Sequence, residues 1–578
     1  MKKSSPIKKT LQRIKPYSGY LALSMLTALV SISLTLYIPV LVGNAVDHII
    51  GKGNVSFEDV ARILLYIVVA IVGVTGCQWL MNYFVNLISF RTVRDLRREV
   101  FRKLNTVPLS FIDTHSHGDL ISRVINDIDA VGDGLTQMFL QLFSGVVTIV
   151  GTLIFMLMID WRIALAVFFL TPLSLFVAGF IGKLTAKRFR EQQLLQGEIS
   201  AYVEEHIGNQ RVVKAFAFED RAMEEFEAYN NQLYDVGFKA QYAGALANPT
   251  TRLVNAIVYA AVGIIGAMTA LSGTLTIGEL SCFLTYANQY TKPFNEVTGV
   301  LMQLQTAIAA AARVFEVLEA KDEISDADND SLRGECRGEV SFQNVSFSYT
   351  TDKPLIQNFS LHVDSGSHVA IVGPTGCGKT TLINLLMRFY DVNSGGIQID
   401  GVDIRDLKRD ELRKQFGMVL QDSWLFKGTI MDNLRYGNEN ATDEEVIAAA
   451  KAAYAHSFIR RMPKGYHTVI SEGGGNLSQG QKQLLCIARA MLTNPSVLIL
   501  DEATSSIDTL TEIRVQKAFA KMMQGRTSFV VAHRLSTIKE SDTILVMRDG
   551  NVVEQGTHEA LLKQKGFYYK LYNSQFSS

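Results

Sequence analysis

Cysteine is scarce and unpatterned in this chain. Its 578 residues hold five, Cys77, Cys282, Cys336, Cys377 and Cys486. They are odd in number and scattered, with no CxxC pair and no Cys/His cluster, which indicates neither a disulfide framework nor a zinc site. The soluble part suits a reducing compartment. Net charge is missing as well: 56 Lys and Arg balance 56 Asp and Glu, so overall charge gives no support to a nucleic-acid partner. No small-residue cleavage site is placed to remove the apolar run behind the basic N-terminus (Lys2, Lys3, Lys8, Lys9, Arg13, Lys15). That run reads as a first membrane helix and not as a signal peptide.

What is abundant is apolar sequence, unevenly spread. Hydrophobic residues make up 48% and charged ones 19%. The length suggests at least two domains. A spanning helix needs roughly 20 mostly apolar residues, and six runs qualify: Tyr20–Val46, Ala61–Phe84, Leu135–Ile159, Ile163–Leu184, Val254–Leu271 and Ile277–Val300. Basic residues crowd the N-terminal arm, the segment after the second run (Arg91, Arg94, Arg97, Arg98, Arg102, Lys103) and the segment after the fourth (Lys183, Lys187, Arg188, Arg190). The other connections are short and poor in positive charge, so both termini are expected on the cytosolic side. The two long cytosolic connections keep a helical period, which predicts helices running past the bilayer. Each contains a short break, SFIDTHSHG at Ser110–Gly118 and GNQRVVKAFAF at Gly208–Phe218. Such a break is either a docking tip with exposed aromatics or a plain helix–helix turn. The sixth run carries Gln289, Tyr290, Lys292, Pro293, Asn295 and Glu296. Lys292 and Glu296 are four apart and can pair. The set reads either as interface-level charge or as the polar lining of a substrate cavity.

Beyond Ala320 the composition changes. Residues 321–338 are polar and acidic and read as a linker, and residues 339–578 as an α/β domain. Gly373, Pro374, Thr375, Gly376, Cys377, Gly378, Lys379 and Thr380 match GxxxxGK[ST], after an apolar strand (HVAIVG) and before a helix (TLINLLMRF) that takes in Thr381. In that setting the glycines let backbone N–H groups wrap phosphates, Lys379 brings charge to the β- and γ-phosphates, and Thr380 offers a hydroxyl to Mg²⁺. The expected ligand is ATP with Mg²⁺. Further on, the strand SVLIL delivers Asp501, placed to hold Mg²⁺ through water. Its neighbour Glu502 is placed to orient or deprotonate the attacking water.

Between these motifs lies NLSQGQ, Asn476 to Gln481, followed by the helical run KQLLCIARAML. It resembles the signature of ABC transporters, usually LSGGQ, and with the two nucleotide motifs in this order the chain is identified as a member of that family. The six runs in front resemble the exporter-type membrane domain (type IV fold). The fold class implied is an N-terminal all-α six-helix transmembrane domain, residues 1–320, with a C-terminal α/β P-loop ATPase. The resemblance makes Tyr349 the aromatic that stacks on adenine and Gln421 a Mg²⁺ contact that senses the membrane domain. It makes Glu472 the acid that touches the coupling loops, Asp508 the loop aspartate that crosses between subunits, and His533 the switch near the γ-phosphate. Ser478, Gly480 and Gln481 would close over ATP held by a second ATPase domain, so a dimer is implied. The breaks near Phe111 and Arg211 look like coupling helices. One departure stands out: Gln479 occupies a position where the family has glycine, while Glu502 and His533 are intact. That combination resembles one subunit of a heterodimeric multidrug-type exporter, which makes a heterodimer the expectation over a homodimer. The function implied is ATP-driven export of hydrophobic or amphipathic small molecules or lipids across the cytoplasmic membrane by alternating access. Lipid flipping, peptide export, import through an exporter fold and an ATP-gated channel or regulator are the alternatives.

Overall fold

Apolar runs this long cannot satisfy their backbone polar groups in lipid except as helices. In the computed structural model, which describes residues 5–49, 55–170, 172–326, 336–350, 353–420, 423–501, 507–532 and 535–576, the described residues of these runs are helical. The chain divides into two units, Met1–Thr106 with His115–Ala320, and Val107–Thr114 with Lys321–Ser578.

The first unit holds α1 (Pro6–Ile14), α2 (Ser18–Asp47) and α3 (Phe57–Leu104). After α4 (Leu109–Asp113), which belongs to the second unit, come α5 (His117–Ile159), α6 (Trp161–Leu170), α7 (Pro172–Gly208), α8 (Gln210–Ala215), α9 (Glu219–Ala245), α10 (Ala247–Leu271) and α11 (Ile277–Leu318). Among the described residues four stretches are long and apolar enough to cross a membrane: Pro6–Asp47, Phe57–Leu104, His117–Ile159 and Arg252–Leu271. The expected runs Ile163–Leu184 and Ile277–Val300 fall on α6–α7 and α11, where several side chains, Glu296 included, lie outside the described ones. The 48 residues of α3 extend about 70 Å at 1.5 Å per residue, over twice a ~30 Å hydrocarbon core, so this helix continues well past the bilayer.

Small residues bring these helices together. A Cβ on Gly43 would lie 2.7 Å from the Gly278 carbonyl oxygen, and one on Gly134 would lie 2.2 Å from Ala307 Cβ. The end of α2 caps the start of α11, with the Asp47 carboxylate accepting from Thr276 Oγ1 and from the Gly278 N–H, both at 2.7 Å. Lower on the same pair, Tyr286 Oη donates to the Leu36 carbonyl at 2.5 Å. At the opposite end Arg313 grips Asp127 at 2.7 and 2.5 Å, and Arg123 reaches Glu316 at 2.8 Å.

Both expected breaks are short helices. The segment Leu109–Asp113 packs with the second unit, where Tyr390 Oη donates to the Asp113 carboxylate; desolvation and that carboxylate push the Tyr390 phenol above its usual pKa. The α8 turn buries none of its residues, and Phe216 beside it is 78% exposed.

The second unit is built on a six-stranded sheet, ordered β12-β11-β3-β10-β9-β6. Its strands are β3 (His368–Val372), β6 (Phe416–Val419), β9 (Val497–Asp501), β10 (Thr527–Val531), β11 (Thr543–Arg548) and β12 (Asn551–Gly556). All neighbours run parallel except the β11–β12 hairpin. Parallel strands covered on both faces read as unbroken apolar runs. Here Ala370, Leu498 and Val530 enter one buried cluster while Val369, Ile499 and Phe529 enter the other. A second sheet, β2-β1-β4-β5, joins the latter cluster through β1 (Val340–Phe347), β2 (Ile356–Val363) and β4 (Ser394–Ile399), with β5 (Val402–Asp403) at its edge. A short pair, β7 (Gly428–Thr429) and β8 (Val469–Ile470), completes the strands.

Candidate nucleotide-binding site

The sheet's strand order decides which residues meet. β3 and β9 flank β10 in parallel, with Ile371 and Asp501 both level with Val531. Loops leaving the C-terminal ends of these strands therefore share one edge, the place where open α/β sheets bind ligands. From β3 the chain enters the glycine loop; β9 ends on Asp501 two strands away, about 10 Å across at ordinary strand spacing. The next strand, β6, ends at Val419 on the same edge.

Backbone constraints dictate the loop's residue types. Gly376 and Gly378 have φ of 82° and 101°, which L side chains rarely adopt. A Cβ on Gly373 would lie 2.3 Å from the Met547 carbonyl oxygen and 2.7 Å from Cys377 Sγ. Gly378 is the N-cap of α12 (Lys379–Leu386) and gives it no side-chain cap, so the first N–H groups of the helix have no side chain from that position competing for them. The Lys379 ammonium lies folded over the loop, donating to the carbonyls of Gly373 at 2.8 Å and Pro374 at 3.0 Å, with the residue only 9% exposed. Pro374, Thr375 and Thr380 face solvent, while Cys377 and Thr381 are buried. A buried ammonium beside an uncapped helix start and a glycine cradle is a donor set for phosphate oxygens.

Tyr349 stands at the side of this loop. Its hydroxyl donates to Thr381 Oγ1 at 3.1 Å, and its ring meets Phe347 and Tyr390 edge-on at 4.9 and 5.0 Å. Half of Tyr349 remains exposed, which leaves ring surface available for stacking. For Mg²⁺ the chain offers the Thr380 hydroxyl and the Asp501 carboxylate at the same edge. Among the described residues no group of three or more His, Cys, Asp or Glu converges.

Ser478, Gly480, Gln481 and Asp508 form a second constellation. Ser478 caps α13 (Gln479–Leu492) in a reciprocal box: Gln481 N–H donates to Ser478 Oγ at 3.3 Å and Ser478 N–H to Gln481 Oε1 at 3.0 Å. Asp508 caps α14 (Thr509–Met523), accepting from the Thr511 N–H at 3.0 Å; that bond holds its carboxyl below the usual carboxylate range. Gly480 ties the two caps together, because a Cβ there would lie 2.3 Å from Thr511 Cγ2 and 2.9 Å from Ile507 Cγ2. The glycine is thus required by helix–helix contact within this chain. Gln479, the departure in the motif, is the first residue of α13 and half-buried. Gly480→Ala should lower ATPase turnover about five- to a hundredfold by wedging α13 from α14, an overpacking of about 1–3 kcal/mol. Adding Thr511→Ser deletes the closest clashing atom and should recover much of the loss. Steady-state ATPase of the single and double variants checks this, and a double variant no better than the single one would refute the contact as cause.

Gln421, Glu502 and His533 lie outside the described residues, as does the side chain of Glu472. Sequence reasoning missed the support behind the loop: the Gly550 N–H donates to the Cys377 carbonyl at 3.1 Å. Its Cβ position is filled by the Leu355 carbonyl, 1.8 Å away, at φ 83°. The signal was present, since Asp549-Gly550 between two apolar strands marks a two-residue hairpin turn.

Comparison with known proteins bears on the whole chain. Residues 21–294 match the family model described as the ABC transporter transmembrane region and residues 356–505 the one described as ABC transporter. The uncharacterized ABC transporter ATP-binding protein YfiC of Bacillus subtilis (strain 168) is 42% identical over 99% of this chain and 95% of its own length. A fatty acid ABC transporter ATP-binding/permease protein of Mycobacterium bovis is 40% identical over 90% of this chain and 82% of its own. Among solved structures, that of a bacterial Atm1-family ABC exporter with ATP bound is 30% identical, with a TM-score of 0.78 over 97% of this chain and 99% of the other. With a helical membrane unit and an ATP-binding-cassette unit fused in one polypeptide, and with relatives along its full length, this chain belongs to the ABC transporter family as a half-transporter of the exporter type.

Proposed function

We propose that the chain uses ATP hydrolysis to export amphipathic small molecules or lipids across a cytoplasmic membrane by alternating access, both termini and the ATPase domain being cytosolic. The observation that carries this reading is the Lys379 ammonium, buried against the Gly373 and Pro374 carbonyls at the sheet edge where Asp501 ends. Lys379 and the N–H groups at the start of α12 bind the β- and γ-phosphates, and Tyr349 orients the adenine. Thr380, Gln421 and Asp501 would hold Mg²⁺, which would supply neutralisation of the phosphate charge. Glu502 takes the proton of the attacking water and His533 steadies the γ-phosphate. Ser478, Gly480, Gln481 and Asp508 complete the site of a second subunit, and the domain limits at 320 and 339 frame the two functions. Inside-out vesicles carrying the protein should accumulate a fluorescent lipid or dye only with hydrolysable ATP; accumulation with a non-hydrolysable analogue would overturn the coupling, and movement in the opposite sense would make the chain an importer.

We further propose a heterodimer with a second ABC half-transporter, on the strength of Gln479 in place of glycine directly after Ser478. A side chain there stands in a turn that must approach phosphate closely. The chain purified alone should show little ATPase, and co-expression with its partner should restore it. Robust substrate-stimulated turnover by this chain alone defeats the heterodimer.

A further inference from the structure

Within the membrane unit, α2, α3, α5 and α11 enclose a cavity of about 430 Å³. It lies 12 to 16 residues from the end where Asp47 caps α11, roughly 18–24 Å at 1.5 Å per residue, which is inside a ~30 Å hydrocarbon core. A dry, empty cavity at that depth would be apolar. This one is lined by Gln78, Gln141, Gln289 and Lys292, with serine and threonine hydroxyls between them.

The backbone is shaped around it. α5 carries a π turn at Met138–Phe143, and such turns concentrate at functional sites because they re-aim side chains; two residues of this turn, Leu140 and Gln141, line the cavity. α11 carries Pro293 in its interior, beside Lys292 and facing the cavity with it. Gln289 and Lys292 are three apart and share a helix face.

The chemistry of the lining is one-sided. Among the described residues the lining contains a single formal charge, the Lys292 ammonium, and no Asp or Glu. Thr35 and Thr148 spend their hydroxyl protons on the Ser31 and Ser144 carbonyls, both at 2.8 Å. Ser31 Oγ donates to the Val74 carbonyl at 3.4 Å and Ser144 Oγ to Met81 Sδ at 3.9 Å, so the donors left for a guest among the described residues are the ammonium and the glutamine amides. Gln289 Oε1 is buried without a hydrogen-bond partner among the described residues; as an acceptor it calls for a water or a substrate hydroxyl, while the amide N–H groups are left to face an anion. A cation at membrane depth is costly and marks a functional site.

Resting on the export reading above, we infer that this cavity receives the headgroup of an anionic amphiphile, a carboxylate or phosphate paired with Lys292 and hydrogen-bonded by the glutamines, while its alkyl chain lies along the apolar helix faces. Lys292 then determines specificity for the transported substrate.

Equilibrium binding to the full-length protein in phosphatidylcholine nanodiscs decides it, using radiolabelled dodecyl phosphate, dodecanoate and uncharged 1-dodecylglycerol. The wild type should bind at least one anion about ten- to a hundredfold more tightly than the uncharged probe, the range of one hydrogen bond to a charged group. Whichever anion leads identifies the headgroup as phosphate or carboxylate. Lys292→Gln should bring the anions down to the level of the uncharged probe and leave that probe unchanged, and Lys292→Arg should keep the preference. Equal wild-type affinities, the result if Glu296 occupies Lys292 in place of a ligand, overturn the assignment; so does undiminished anion binding by Lys292→Gln. The wild-type ranking stands even if a variant misfolds. ATP-driven flux of the same probes in vesicles separates the two readings. No flux of any probe refutes export, whereas flux without anion preference refutes the headgroup assignment alone.

Discussion

Glu502→Gln protein should bind ATP as the wild type does and hydrolyse it about 10² to 10⁴ times more slowly, the usual contribution of a positioned base. The sheet supports that expectation. Asp501 ends β9 opposite Val531, at the edge where the glycine loop leaves β3. An amide in place of the carboxylate keeps the size and one accepting oxygen and loses the negative charge, and with it the capacity to take a proton. Binding of a fluorescent ATP analogue and single-turnover phosphate release measure the two halves separately. Asp501→Asn is the contrasting variant: its defect should appear in magnesium-dependent nucleotide affinity, because it removes charge beside the ion. Wild-type hydrolysis by Glu502→Gln would assign the base elsewhere.

Much of this architecture is legible in the chain because the constraints are contiguous there. The glycine loop shows itself through backbone geometry: Gly376 and Gly378 hold positive φ, and Gly373 sits where the Met547 carbonyl leaves no room for a side chain. The central strands read as apolar runs because both faces of Val369–Val372, Val497–Leu500 and Phe529–Val531 are buried. The two breaks in the long helices are visible because helical periodicity stops there. What stayed hidden depends on residues distant in sequence. Nothing local links Asp113 to Tyr390, 277 positions on. Gly480 reads as a phosphate-binding glycine until Thr511 is seen occupying its Cβ position. The membrane cavity draws on four helices and on a π turn in α5, and a π turn adds one residue to a helical period without marking the composition. Lys292 is conspicuous in the sequence as a charge inside an apolar run; which side chains surround it depends on packing.

Lys379→Ala should weaken nucleotide binding and lower turnover together, and so differ in kind from Glu502→Gln. The ammonium is held over the loop by two carbonyls, at 2.8 and 3.0 Å, which are weaker partners than phosphate oxygens because they carry only partial charge. Exchanging them for phosphate strengthens the bonds without exposing the charge to water, so the lysine is already positioned before nucleotide arrives. Losing one hydrogen bond to a charged group costs about 1.5–3 kcal/mol, roughly ten- to a hundredfold in affinity. Loss of the same charge from the transition state, where negative charge moves onto the leaving oxygen, should lower turnover by about a further 10² to 10³. Lys379→Met, which keeps length and apolar stem, should behave like alanine if charge is what matters and better than alanine if the stem's packing is. Nucleotide binding with magnesium, measured against thermal unfolding of each variant, distinguishes the two. Tight ATP binding by well-folded Lys379→Ala would mean that the loop's N–H groups hold the phosphates unaided.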